Sequence, residues 1–224
     1  MKHDIINSLI LACLFLSLFA LAELLFYKTN MRGKDTRKLV HIITGMLSLL
    51  FPLMLSSHWF VLLLCASFGI ILYLSIKFKL LRSIHGIDRV SHGSLLYPLA
   101  VYGCFLFYKH YQNNYLYFYL PLLTMAICDP VAAIFGERWT YGKFQIFGDT
   151  KTLLGCMAFF LSSLVITFGL FYFLLVGKYT LDTMLFATLC VAGAATFTEA
   201  ISVKGLDNLT IPISVIFILI LLHV

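Results

Sequence analysis

The chain has 224 residues, of which 61% are hydrophobic and only 12% are charged. A soluble domain carries about 25% charged residues, so this composition cannot cover a water-facing surface and excludes an ordinary soluble protein. The formal net charge is +6, and in so apolar a chain this favours basic residues that face anionic lipid, with no nucleic-acid partner.

Eight apolar stretches are long enough, or nearly so, to cross a bilayer as helices, which takes about 20 residues. In chain order they are 5–27, 39–55, 59–78, 94–108, 115–135, 152–176, 181–201 and 209–224. The second, fourth and eighth are short, so that seven spans are the alternative count. The runs are too long and too continuous for alternating strands. The sequence therefore predicts an all-α, polytopic membrane helical bundle that forms a single domain over residues 1–224.

The basic residues predict an orientation for this bundle. Thirteen of the sixteen lie in the first, third, fifth and seventh connections, whereas Lys2, Lys109 and Lys178 lie on the opposite side. Cytoplasmic loops carry an excess of Lys and Arg, so the odd connections are predicted to be cytoplasmic and both termini external. We expect a multi-pass protein of the cell (inner) membrane with its working face on the cytoplasmic side.

The polar clusters of the chain all fall on that predicted face. They are 37–41, 91–93, 128–130, 136–138, 149–152, Glu199 and 207–208. A membrane protein that collects acids, bases and histidines on one side is expected to carry out chemistry there. A transporter has polar groups on both faces or at the midplane, and this distribution argues against one.

The cluster Arg37, Lys38 and His41 opens the second span. Arg37 and His41 are four residues apart and Lys38 and His41 three apart, so the three side chains share one side of a helix. Either they anchor the helix end by snorkelling to the headgroups, or they bind a phosphate. His41 favours a phosphate site, because an ionisable residue one turn inside an apolar helix is unfavourable without a function.

Asp129 is the most informative acid, because it lies late in an apolar span directly before Pro130. Asp129, Ala133 and Gly136 are spaced i, i+4, i+7, which places the acid on a face of small residues that a ligand can approach. Pro130 removes a backbone donor and is expected to kink the helix and free a carbonyl near the acid. The alternative is a structural carboxylate paired with a Lys or Arg.

Two further polar segments accompany Asp129. Residues 148–152 read Gly-Asp-Thr-Lys-Thr and lead into a span, where backbone N–H groups, the helix dipole and an ammonium favour phosphate. The alternative there is a helix cap by Asp149 or Thr150. Glu199 and Asp207-Asn208 add acids which, with Asp129, are candidate Mg²⁺ ligands. For Asp207-Asn208 the alternative is again a helix N-cap.

Five segments, in order, resemble the signatures of the membrane lipid-alcohol kinases, a family with dolichol, phytol and farnesol kinases and the CTP-dependent diacylglycerol kinase. Residues 37–45 are similar to its R-K-x-x-H-x-x-x-G signature, and residues 92–98 to its G-x-x-[FY]-P segment. Residues 129–136 resemble D-x-x-A-x-x-x-G, and residues 151–155 resemble K-[ST]-x-E-G. The E…D-N…P close is matched by Glu199, Asp207, Asn208 and Pro212.

This resemblance implies transfer of the terminal phosphoryl group of a nucleoside triphosphate, usually CTP, to the hydroxyl of a membrane lipid alcohol, with Mg²⁺ as cofactor. Asp129 is then either a Mg²⁺ ligand or the base toward the lipid hydroxyl. The site residues it implies are catalytic Asp129, Lys151 and His41; nucleotide- or phosphate-binding Arg37, Lys38, Gly136, Arg138, Lys151, Thr152, Gly155 and Asn208; and Mg²⁺ ligands Asp129, Glu199 and Asp207.

One position departs from the family pattern, since Leu154 stands where the family commonly has an acid. Asp149 or Glu137 would have to substitute for that acid. The distantly related CDP-diacylglycerol synthases share the Asp and Lys-Thr elements, so a cytidylyltransferase is the alternative activity and a transporter a more remote one. The expected partners are a nucleoside triphosphate, the bilayer and a lipid alcohol, for which polyprenol, phytol, farnesol and diacylglycerol are all candidates.

Overall fold

A computed structural model describes residues 2–29, 31–85, 92–175 and 177–224. Ser91 of the polar segment 91–93 and Val176 at the end of the sixth predicted span lie outside these residues. The elements in chain order are α1 (Lys2–Lys28), α2 (Gly33–Ser48), α3 (Phe51–Met54), α4 (His58–Phe78), α5 (Arg82–His85), α6 (Gly93–His110), α7 (Leu116–Leu123), a π-helical turn (Thr124–Cys128), α8 (Asp129–Arg138), β1 (Lys143–Ile146), β2 (Asp149–Thr152), α9 (Leu153–Leu175), α10 (Leu181–Ile201) and α11 (Asp207–Leu221).

The predicted helical membrane bundle is confirmed. Among the described residues, six helical segments are long and apolar enough to cross a membrane: α1, the α2–α3 pair, α4, the run from α7 through α8, α9 and α10. The fourth and eighth predicted spans correspond to α6 and to the shorter apolar helix α11. Large apolar side chains such as Phe173 and Val165 are exposed on the bundle surface, as a protein whose outer surface faces lipid requires.

The fifth predicted span is not a continuous α-helix. Between α7 and α8 the chain makes a π-helical turn, and α8 begins at Asp129. Pro130 has no N–H to donate to the preceding turn, which gives a physical reason for the irregularity predicted there. Such π turns occur frequently at functional sites, and this one positions Asp129 at the junction of two helical segments.

Small residues allow the helices beneath the polar face to approach closely. A Cβ built on Gly45 would lie 2.2 Å from Ala126 Cβ, so α2 contacts the π turn at a distance that a larger residue forbids. A Cβ built on Gly155 would lie 3.0 Å from Ala132 O, and one on Gly136 would lie 2.7 Å from Thr152 Oγ1. Helices α8 and α9 are therefore held together at a pair of glycines, close to Asp129.

The connection from α8 to α9 forms a β-hairpin that the sequence analysis did not predict. Lys143 pairs with Thr152 at its open end and Ile146 with Asp149 beside the turn. The two turn residues, Phe147 and Gly148, have φ of 45° and 90°, as a two-residue hairpin turn of type I′ requires. The hairpin delivers Lys151 and Thr152 to the start of α9.

Candidate active site

A charged cavity of about 660 Å³ opens at one end of the bundle, between the first turns of α2, α9 and α11, the end of α10, helix α8 and the hairpin. Its charged lining consists of six cations and four carboxylates: Arg32, Lys34, Arg37, Lys38, Lys143, Lys151, Asp129, Glu137, Glu199 and Asp207. The excess of cations suits a polyphosphate anion, and the carboxylates suit a divalent cation that also binds phosphate.

Most residues predicted for the site line this charged cavity, although they come from six separate elements. They are Arg37, Lys38, His41, Asp129, Gly136, Lys151, Thr152, Gly155, Glu199, Asp207 and Asn208. Arg138 does not line this cavity. Its guanidinium lies 4.9 Å from the ring of Trp139, the next residue along the chain. The fold thus brings the predicted set together, while the role of each member stays a prediction.

Lys151 and Glu199 form a buried ion pair at the floor of the charged cavity. The Lys151 ammonium contacts the Glu199 carboxylate and also donates to the Glu199 backbone carbonyl at 3.0 Å, and Glu199 is only 4% exposed. Burial lowers the pKa of Lys151, but neighbouring carboxylates outweigh this effect and hold the pKa above its ordinary value. In decreasing order of influence, these carboxylates are Glu199, Asp207 and Asp129.

All three predicted Mg²⁺ ligands therefore act electrostatically on one ammonium, which Glu199 contacts directly. Among the described residues, no group of three or more His, Cys, Asp or Glu side chains is arranged to hold a metal ion by itself. Mg²⁺ bound with nucleotides needs no such cage, since one or two carboxylates, waters and the substrate phosphates complete its octahedron. Asp129, Glu199 and Asp207 all line the charged cavity, and carboxylates are the protein ligands that an ion bound in that way takes.

His41 is oriented by the π turn that precedes Asp129. Its Nε2 lies 3.2 Å from Met125 O, and because a carbonyl only accepts, Nε2 is the protonated nitrogen in this contact. A neutral His41 then has Nδ1 as an acceptor. The Tyr97 hydroxyl donates to the His41 backbone carbonyl at 3.4 Å, and the two rings meet edge to face. His41 thus hydrogen-bonds to a backbone carbonyl of the π turn, five residues before Pro130.

Helix capping was the alternative role for polar residues at the starts of α9 and α11. Thr152 precedes α9, and its Oγ1 accepts a hydrogen bond from Gly155 N at 3.0 Å, so Thr152, rather than Asp149 or Thr150, caps this helix. The N-cap position of α11 is Leu206, whose side chain makes no cap hydrogen bond. Asp207, the first helical residue, accepts a hydrogen bond through Oδ1 from the backbone N–H of Asn208 at 3.0 Å, so its carboxylate does satisfy one N–H of the first turn. Asn208 is buried and donates through Nδ2 to Gly93 O at 2.8 Å, which joins α11 to α6.

Glu137 is the acid that the sequence analysis weighted too little. Lys34 and Lys38 both contact its carboxylate, at 2.7 and 2.8 Å. Lys34 lies four residues before Lys38, so helical spacing was a signal for its position on the same face. Of the two candidates to replace the acid missing at Leu154, Glu137 lines the charged cavity. Asp149 instead accepts a hydrogen bond from the backbone N–H of Lys204 at 2.8 Å.

Arg32 and Lys143 also line the charged cavity without having been selected from the sequence. Arg32 directly precedes α2, and its side chain contacts Asp35 Oδ2 at 2.9 Å. Lys143 is the first residue of β1, and no sequence signal identified it because the hairpin itself was not predicted.

A second, apolar pocket of about 80 Å³ adjoins the charged cavity. It lies among α1, α2, α4 and α6, and phenylalanines from α1 and α4 contribute to its walls. Arg37, His41 and Asn208 line both spaces. A polar space and an apolar one therefore meet at these three side chains.

The described helices form the bundle of a multi-pass membrane protein, and comparison with a known protein confirms the resemblance to the membrane lipid-alcohol kinases drawn from the sequence motifs. The chain is similar to a phytol kinase from Synechocystis sp., to which it is 29% identical over 192 residues. The aligned region covers 86% of this chain and 81% of the relative. No family model and no solved structure matches the chain.

Proposed function

We propose that this protein is a Mg²⁺-dependent lipid-alcohol kinase that transfers the terminal phosphoryl group of a nucleoside triphosphate, with CTP the first candidate, to the hydroxyl of a membrane lipid. The reaction takes place at the cytoplasmic face of a cell membrane. Support comes from the relative, which is named a phytol kinase, and from the excess of basic residues in the odd connections.

The observation that carries this proposal is the junction of the two spaces. A charged cavity with more cations than carboxylates suits a nucleoside triphosphate and its metal ion, whereas an apolar pocket between membrane helices suits a hydrocarbon chain. A lipid alcohol is a molecule with one polar group at the end of such a chain. The two reactants would meet where Arg37, His41 and Asn208 line both spaces.

The balanced reaction is a simple displacement. The lipid hydroxyl oxygen forms a bond to the terminal phosphorus, the bond between that phosphorus and the bridging oxygen breaks, and nucleoside diphosphate leaves with the electron pair. The hydroxyl proton passes to a base, for which Asp129 and His41 Nδ1 are the candidates. Phosphoryl transfer depends chiefly on positioning and charge neutralisation, which the six cations of the charged cavity provide.

Mg²⁺ would be held by Asp129 with Glu199 or Asp207, and when bound it neutralises charge on the phosphate oxygens. Lys151 would then exchange part of its contact with Glu199 for the triphosphate. Lys34 and Lys38 would make the same exchange with Glu137. Each of these cations has a carboxylate partner in the structure, so nucleotide binding replaces ion pairs and does not have to assemble the cations anew.

The experiment is a product assay on purified protein in lipid nanodiscs with Mg²⁺ and terminally labelled CTP, ATP or UTP. Separate reactions contain phytol, farnesol, a polyprenol, diacylglycerol or phosphatidate. Label that appears in a lipid, with nucleoside diphosphate as the second product, is the expected result and identifies donor and acceptor together. EDTA should abolish the transfer.

The cytidylyltransferase alternative predicts a different product from the same reactions. With CTP and phosphatidate it would release the label as pyrophosphate and place none in lipid. Pyrophosphate release in that reaction, or no labelled lipid with any donor and acceptor, would contradict the proposed kinase.

A further inference from the structure

The lining and the volume of the apolar pocket indicate which lipid the protein accepts. Its wall includes Phe15 and Phe19 from α1 and Cys65, Phe68 and Leu72 from α4, all of them buried. Helix α2 lines the pocket along one face, which runs from Arg37 through His41 and Thr44 to Ser48. The pocket therefore leads from the charged cavity into the apolar interior of the bundle.

The volume of this pocket limits what it can enclose. An apolar cavity of roughly 150 Å³ in a protein interior holds one benzene ring, and this pocket offers about 80 Å³. It therefore accommodates only a short segment of one hydrocarbon chain. The rest of a long tail must extend past the helices into the bilayer, where chain length changes few contacts with the protein.

Thr44 adds a polar atom to the apolar pocket. Among the described residues, its Oγ1 is buried and has no hydrogen-bond partner, and the residue lines the pocket one turn beyond His41. A buried hydroxyl without a partner is unfavourable. The hydroxyl of a ligand whose chain lies in the apolar pocket would supply that partner at the His41–Thr44 edge.

We infer that the apolar pocket holds the hydroxyl-bearing end of a single-chain lipid alcohol, with its hydroxyl at the His41–Thr44 edge and only its first few carbons enclosed. This inference rests on the proposed kinase function and names the acceptor class. Alcohols with one chain are accepted with little regard to total length. Diacylglycerol is a poor acceptor, because its two chains diverge close to the hydroxyl.

Photo-crosslinking tests the location without requiring turnover. Asp129→Asn protein in nanodiscs is irradiated with either of two phytol-like alcohols, one with a diazirine near the hydroxyl and one with it at the far end of the tail. The first probe should label α2 and α4 at the apolar pocket, and excess phytol, but not hexadecane, should compete. The second should label lipid-facing surfaces. Labelling of lipid-facing residues alone by both probes would overturn the inference.

A conservative variant tests the hydroxyl contact. Thr44→Val should raise the KM for phytol about tenfold, the loss expected for one hydrogen bond, and should leave the KM for the nucleotide unchanged. Thr44→Ser, which retains the hydroxyl, should restore the original value. Thr167→Val is the matched control, because Thr167 Oγ1 is also buried without a partner but the residue lines neither space.

Acceptor selectivity separates this inference from the proposed function itself. Farnesol, phytol and a long polyprenol should differ only a few-fold in kcat/KM, with diacylglycerol at least tenfold lower. Turnover that rises steeply with chain length, or that prefers diacylglycerol, would overturn the pocket inference and leave the kinase proposal intact. Labelling at the apolar pocket without turnover of any lipid alcohol would overturn the kinase proposal and leave the pocket inference intact.

Discussion

The two ends of the bundle are built from different interactions. At one end, charged side chains from distant parts of the sequence pair across the charged cavity, as Lys38 does with Glu137 and Lys151 with Glu199. At the other, where α6 ends and α7 begins, tyrosines pack on one another, and the rings of Tyr111 and Tyr117 stack at 4.0 Å. Helix α6 connects the ends, with Gly93 beside Asn208 at the first.

The charged end of the bundle is the one suited to exchange partners. Ion pairs on a cavity wall can give up a carboxylate for a phosphate at modest net free energy, because one charge-assisted contact replaces another. Stacked rings have no such alternative partner and contribute fixed contacts. We therefore expect substitutions at the charged end to alter catalysis and nucleotide binding, and substitutions at the aromatic end to alter stability alone.

The largest effect should come from Asp129→Asn, which keeps the size of the side chain and removes its charge and basicity. We expect kcat to fall by about 10²–10⁴-fold, the range for removal of a catalytic acid or base, with little change in the thermal unfolding midpoint in detergent. Asp182→Asn, at the exposed start of α10 near the opposite end, is the matched control and should keep full activity. Retention of activity by Asp129→Asn would exclude an essential role.

The buried Lys151–Glu199 pair should give the next largest effect. Lys151→Met leaves the Glu199 carboxylate buried without its ammonium, so the free energy of unfolding should fall by about 3–5 kcal/mol and the KM for nucleotide should rise. Adding Glu199→Gln should restore much of the stability but not the nucleotide affinity. The exposed Lys178→Met is the control for loss of a lysine. Strictly additive losses of stability in the double variant would show that the pair is not coupled.

A substitution at the close helix contact beneath the charged end should have the third largest effect. Gly45→Ala forces a Cβ against Ala126, and overpacking of this kind is expected to lower the free energy of unfolding by about 1–3 kcal/mol. Gly69→Ala in α4 is the contrast, because no atom from beyond its own stretch of helix, among the described residues, lies within 4 Å of the built Cβ, and it should be neutral or stabilising by up to about 1 kcal/mol. Thermal unfolding in detergent measures both, and equal effects would contradict the packing argument.

Much of the fold and of the site composition could be predicted from the sequence because both follow from local patterns. Apolar runs of sufficient length predicted the spans, and the i, i+4, i+7 spacing of Asp129, Ala133 and Gly136 predicted a face that does line the charged cavity. The motif order, together with the charge bias, brought most of the site residues onto one face. None of this required knowledge of long-range contacts.

The features that could not be predicted depend on pairing between distant segments. Whether Glu199 meets Lys151 is decided by how α10 packs on α9, and no local pattern encodes that packing. The hairpin over residues 143–152 was missed because each strand has only four residues in a polar connection. Arg138 was expected among the phosphate-binding residues from the family resemblance, which carries no information on side-chain direction, and its guanidinium lies over Trp139.

At the aromatic end, Tyr111→Leu removes one of the two stacked rings and keeps an apolar side chain. The free energy of unfolding should fall by about 0.5–1.5 kcal/mol, the contribution of an aromatic pair beyond its buried area. The KM values for nucleotide and lipid should be unchanged. A tenfold loss of kcat/KM in correctly folded protein would show that the aromatic end is coupled to the site and would break the distinction between the two ends.

The smallest effect is expected for Glu137→Gln, and the direction of the change in KM for nucleotide distinguishes two roles for this carboxylate. Both Lys34 and Glu137 are about two-fifths exposed, so loss of their ion pair should cost about 0.2–1 kcal/mol of stability or less. If Glu137 only occupies Lys34 and Lys38 until a triphosphate displaces it, its neutralisation should lower the KM for nucleotide by roughly two- to fivefold at low salt, and less as salt screens the charges. This is the result we expect. A rise in KM that added Mg²⁺ relieves would instead show that Glu137 serves the metal ion, and so replaces the acid that Leu154 displaced.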